Sequence, residues 1–64
     1  MKTFKETKEF ASMVEARAFY LKRNYETTYN EADQAILKSK NFNGEVMINK
    51  EGFLKVVAEE VIWK

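Results

Sequence analysis

The chain has 64 residues, enough for one small domain and too few for two hydrophobic cores. It contains no His and no Cys, which removes the usual zinc, haem and iron–sulfur ligands, the thiol nucleophile, the commonest general base and any disulfide. Eleven Lys and Arg against ten Asp and Glu leave a net charge of +1, too small for a protein that grips nucleic acid through its overall field.

These absences make an enzyme, a cofactor or a metal centre unexpected. No apolar run approaches the length of about 18 residues that spans a membrane, and residues 1–6 lack the apolar segment of a signal peptide. A cytoplasmic protein with no membrane partner is expected. A domain this small sits near the balance between apolar burial and chain entropy and commonly leans on a partner or a second copy of itself, so a homodimer is a candidate state. Nine Lys to two Arg with five Asn is the bias of an A/T-rich genome, as in many bacteria and their phages.

In chain order, Phe10, Ala11, Val14, Ala18, Leu21 and Tyr25 recur at three- and four-residue spacing and predict a helix over about 4–24. Thr3 with Glu6, or Thr7 with Glu9, would begin it. Asn24 to Thr27 breaks the pattern, and Thr28 followed by Glu31 reads as a capping box opening a second helix over about 29–40, with Ala32, Ala35, Ile36 and Leu37 on its apolar side. Asn41-Phe42-Asn43-Gly44 reads as its stop. Val46, Ile48, Val56, Val57, Val61 and Ile62 then supply a β-branched density that predicts a hairpin over about 45–49 and 53–63, turning at Asn49-Lys50-Glu51-Gly52. The expected fold is therefore α+β, two helices packed on a C-terminal hairpin that buries Val46, Ile48, Leu54 and Val56. The competing expectation is an all-α three-helix domain, in which Asn49 caps a helix over 50–63.

Nine aromatic residues exceed what so small a core easily encloses, so some should face outward as anchors of a protein interface. The protein-binding candidates are Phe19, Tyr20, Tyr29, Phe42 and Trp63. A second set, Lys22, Arg23, Lys38, Lys40 and Lys50, would contact phosphate if the order helix, helix, hairpin formed a minimal winged helix with 29–40 as its recognition helix. Glu31 and Asp33 at that helix's start would repel the backbone. Phe53-Leu54-Lys55-Val56-Val57-Ala58-Glu59-Glu60-Val61 resembles the closing strand of single-stranded DNA-binding oligonucleotide-fold domains, a likeness over nine residues that implies strand there and no function. The leading expectation is a small non-enzymatic protein-binding module, such as a phage or mobile-element regulator or inhibitor of a host protein. The alternative is a DNA- or RNA-binding regulator.

Overall fold

A computed structural model describes residues 3–63. They form a five-stranded antiparallel sheet with one helix on one face: β1 (Thr3–Phe10), α1 (Met13–Leu21), β2 (Tyr25–Asn30), β3 (Gln34–Ser39), β4 (Gly44–Lys50) and β5 (Val56–Trp63). The strand order β1-β5-β4-β3-β2 puts β1 and β2 at opposite edges, and α1 crosses the sheet between them. From β2 to β5 the chain is a simple meander, unlike the Greek-key barrel of the oligonucleotide-binding fold.

Neither the two-helix arrangement nor the all-α alternative describes this fold. The first predicted helix is half strand. Residues 3–10 pair along their whole length with β5, from Thr3 opposite Trp63 to Phe10 opposite Val56. The helix begins after Ser12, whose side-chain oxygen accepts from the Glu15 amide at 3.1 Å, and ends before Asn24, which takes the left-handed conformation with φ 67°. Its sheet-facing residues are Met13, Ala16 and Tyr20, whereas the expected stripe residues Val14 and Leu21 face away from the core and are exposed.

The second predicted helix, 29–40, is absent. Tyr25-Glu26-Thr27-Thr28-Tyr29 is a β-branched and aromatic strand, and the Glu31 amide donates to the Gln34 carbonyl at 2.7 Å to close a tight turn into β3. Ala35 and Leu37 point inward and Ile36 between them points outward, the period of two that a strand imposes. The strands expected in the hairpin lie at the centre of the sheet, β4 paired on its other side with β3 and β5 with β1. The turn between them falls later than expected: the Glu51 amide donates to the Lys55 carbonyl at 2.8 Å, Gly52 takes φ 131°, and Leu54 is left exposed rather than buried.

The core lies between α1 and the inner face of the sheet. Ala35, Leu37, Val46, Ile48, Val56 and Ala58 come from the three inner strands, Ala16 and Tyr20 from the helix and Tyr25 from β2. Through this layer runs an aromatic spine in which Phe10, Phe19, Tyr20, Tyr25 and Phe42 meet one another edge to face or tilted, with ring centroids 4.9–6.0 Å apart. It absorbs five of the nine aromatic residues. Gly44 is where the spine needs space, because a Cβ there would lie 2.7 Å from the Phe42 ring and 2.8 Å from the Tyr25 hydroxyl.

Candidate protein-interaction face

One helix covers one side of the sheet, and among the described residues no element covers the other. Strand register assigns the side chains of this open face. Tyr29, Ile36 and Met47 lie in one cross-strand row, continued by Glu59 and Thr7. Val57 and Val61 flank Glu59 along β5, on the diagonals from Met47, and Trp63 extends the same side to the end of the strand. Residues on adjacent strands at these positions lie within about 5–8 Å of one another, so the six apolar side chains form a continuous band. Tyr29, Met47 and Trp63 are exposed at 44%, 38% and 45%, and Ile36, Val57 and Val61 are half-buried.

Charges border this band and, at Glu59, enter it, in opposite-sign pairs. Lys38 stands between Glu26 and Glu45, and the Lys5 ammonium is 3.1 Å from the Glu59 carboxylate. An apolar strip within paired charges is the composition of a protein-binding surface: the centre loses water on contact while the rim stays hydrated.

The five predicted protein-binding residues separate into two groups. Tyr29 and Trp63 lie on the open face. Tyr20 is fully buried and Phe19 packs between Phe10 and Tyr20 with Lys8 and Arg23 over its ring, whereas Phe42 lies edge-on to Tyr25 at the end of the aromatic spine and is itself 43% exposed beside Trp63. Ile36, Met47, Val57 and Val61 were not anticipated, because their outward direction follows from strand parity and not from residue type.

Of the five cations expected to contact phosphate, Lys22, Arg23 and Lys40 lie on neighbouring segments, while Lys38 belongs to the open face. Lys22 and Arg23 follow the helix, the Lys40 amide donates to the Asn24 carbonyl at 3.0 Å, and Lys38 lines an adjoining groove of about 460 Å³ with Phe42, Glu45 and Trp63. Lys50 is at the far end of β4, about 20 Å away for seven residues of strand. Arg23 is also partly engaged, 3.6 Å from Glu60. Residues 29–40 form the end of β2, a turn and β3, so the expected recognition helix is absent and the winged-helix arrangement is ruled out.

The same neighbourhood holds the most unusual group in the core. Glu60 is fully buried on the inner face of β5, while its neighbour Glu59 faces outward. The Tyr25 hydroxyl donates to Glu60 Oε2 at 2.6 Å. Among the described residues, Glu60 Oε1 and the Tyr20 hydroxyl have no hydrogen-bond partner. Burial, reinforced by the Glu60 and Glu6 charges, pushes the Tyr20 phenol up to about 12, and burial with the Glu60 hydrogen bond raises Tyr25 further. Both phenols therefore stay protonated at neutral pH, and Tyr25 donates to Glu60, which suits a structural clasp rather than proton transfer. No group of three metal-ligating side chains occurs among the described residues, and none of their helices is long and apolar enough to cross a membrane.

A further apolar feature lies at the β4–β5 turn, where Phe53 is 97% and Leu54 84% exposed. Neither side chain contributes to the core. Replacing both by serine will change stability by less than about 0.5 kcal/mol, measured by urea denaturation, as expected for surface positions.

No protein-family model matches the chain, and no curated protein or solved structure is significantly similar to it.

Proposed function

We propose that this is a small non-enzymatic protein-binding module, acting in the cytoplasm as a regulator or inhibitor of another protein, of the kind phages and mobile elements direct at their hosts. It docks through the open face of the sheet. The observation that carries this reading is the band of Tyr29, Ile36, Met47, Val57, Val61 and Trp63, apolar, contiguous by register and bordered by paired charges.

The band suits a protein partner better than a small molecule. It is an exposed strip on a sheet, whereas small-molecule sites are concave and enclose most of their ligand. Tyr29, Met47 and Trp63 are of the residue types most enriched at interfaces, and a strand surface holds them with little freedom to lose.

The test is capture of binding proteins from source-cell lysate, with and without nuclease, comparing wild type with a Tyr29→Ala/Met47→Glu variant. Both positions are exposed, so the variant will keep the wild-type circular dichroism spectrum. Binding of a nuclease-resistant partner, measured with the purified pair, will weaken at least about tenfold, the loss of one interface hot spot. Undiminished affinity removes the open face as the site.

A nucleic-acid reading retains one supporting observation, the neighbouring positions of Lys22, Arg23 and Lys40 at the end of the helix. It predicts retention that disappears with nuclease and an affinity that falls steeply with salt.

A further inference from the structure

The two edges of the sheet are built differently. β2 is six residues long, its register to β3 shifts between Thr27 and Thr28's neighbour Tyr29, and the Thr28 hydroxyl donates to the Ile36 carbonyl at 3.0 Å. Such a bulge twists an edge away from further pairing. β1 is eight residues long, pairs with β5 without a register shift, and contains neither Pro nor Gly. Along its outer side, alternate backbone N–H and C=O groups have no strand partner among the described residues.

The residues on this open edge are Phe4-Lys5-Glu6-Thr7-Lys8-Glu9-Phe10. Reversed, the segment keeps its aromatic ends and its central threonine while every charge changes sign. Antiparallel pairing of two identical strands requires a two-fold axis perpendicular to the sheet, so opposed residue numbers add to an even total and both helices lie on the same face. When the total is 14, Thr7 meets Thr7, Lys5 meets Glu9, Glu6 meets Lys8 and Phe4 meets Phe10. Moving one step either way opposes Glu6 to Glu6 or Lys8 to Lys8, and two steps oppose Lys5 to Lys5 or Glu9 to Glu9. One register alone satisfies every charge.

We infer that the chain associates with a second copy of itself through β1, antiparallel and centred on Thr7, joining two five-stranded sheets into one of ten strands. The edge would gain about six to eight backbone hydrogen bonds, and its charges fix the register. The charges on β1 thus have two effects: they repel unrelated apolar edges, and they match their own copy. Within one chain Lys5 pairs with Glu59 at 3.1 Å, and the other three charges are only loosely held. The contacts Lys8–Glu6 and Lys55–Glu9 are 3.8 Å long, and Glu9 is 68% exposed. The inference does not depend on what the open face binds.

The test is sedimentation equilibrium of the full chain combined with charge exchange and cross-linking. A species of twice the 7.6 kDa chain mass is expected. Lys5→Glu alone and Glu9→Lys alone each place like charges opposite one another twice, by symmetry, and will weaken the dimer about tenfold or more. The double variant restores opposite charges and will recover affinity to within about threefold of wild type. Independently of charge, Thr7→Cys in this cysteine-free chain will form an interchain disulfide, because directly opposed residues have Cα atoms about 4.5–5.5 Å apart. Thr3→Cys will not, since its two copies would be about 25 Å apart. A mass of one chain at concentrations up to about 1 mM, the weak end of specific association, overturns the proposal. So does a double charge exchange that dimerises no better than the single ones, or cross-linking as fast through Cys at position 3 as through Cys at position 7.

Discussion

Tyr25→Phe will cost about 3 kcal/mol, although it removes a single oxygen atom. The hydroxyl it deletes is the hydrogen-bond donor to Glu60 Oε2 at 2.6 Å, and Glu60 is fully buried. Arg23 cannot replace it from 3.6 Å without drawing its half-exposed guanidinium further into the core. Breaking such a pair leaves a buried carboxylate short of a partner, a loss of about 2–5 kcal/mol and much larger than the net worth of the hydrogen bond. A domain of this size has a total stability of about 3–10 kcal/mol, so the variant will lose much of its margin. Urea denaturation will measure the loss directly. The second variant needed is Tyr25→Phe/Glu60→Leu, which removes both polar partners. If the cost is the unpaired carboxylate, the double variant will be more stable than Tyr25→Phe alone. If it is only lost packing around the ring, the second substitution will add to the damage.

This clasp has a position in the fold that gives it consequence. Tyr25 is the first residue of β2, at one edge of the sheet, and Glu60 is on β5, beside the other edge strand. Between them on the inner face lie Leu37 and Val46, in the same cross-strand row as Glu60. The hydrogen bond therefore ties the two sides of the sheet together beneath the end of the helix. Gly44 leaves the space it needs, with any Cβ only 2.8 Å from the Tyr25 oxygen.

Little of this was legible in the sequence, and the reasons differ from element to element. Residues 3–10 read as helix because their inner-face positions between the two phenylalanines are Glu6 and Lys8, which hide the alternation a strand would normally show. An edge strand tolerates charges there because the helix covers it only in part. Ser12 and Glu15 form a stronger start signal than Thr3 with Glu6 or Thr7 with Glu9, and Ser12 is where the helix is capped. Residues 34–39 failed for another reason: Ala35-Ile36-Leu37 is a continuous apolar run, and such a run does not distinguish a central strand from a short helix. The Tyr-Glu-Thr-Thr-Tyr segment before it carried a strand signal that the Thr28–Glu31 pattern overrode.

The residues of the proposed docking band were legible in proportion to how far residue type alone exposes them. Tyr29 and Trp63 stood out because aromatic side chains outnumbered the space for them. Ile36, Met47, Val57 and Val61 are ordinary core types, and only their register with neighbouring strands turns them outward. Glu60 was harder still, since a glutamate in a strand normally marks the solvent side. Its burial depends on Tyr25, thirty-five residues earlier in the chain.

Alkaline pH will unfold the protein through the same two phenols that complete its core. Tyr20 and Tyr25 bind their protons more tightly in the folded chain than in the unfolded one, where a tyrosine ionises near 10. The sign follows from proton counting. Below pH 10 both states keep these protons and stability is full; above it the unfolded chain releases them while the folded chain holds them, so unfolding is favoured as pH rises. Each tyrosine contributes a slope of about 1.4 kcal/mol per pH unit, and the pair removes roughly 5 kcal/mol between pH 10 and 12. That is comparable to the whole stability of a domain this small. In a Tyr29→Phe background all tyrosinate absorbance at about 295 nm comes from Tyr20 and Tyr25, and it will appear together with loss of the far-ultraviolet dichroism, below pH 12. Adding Tyr25→Phe will halve the slope while lowering its starting point. Tyrosinate formation near pH 10 with the dichroism intact would show that both phenols are open to solvent, and the buried clasp would then have to be abandoned.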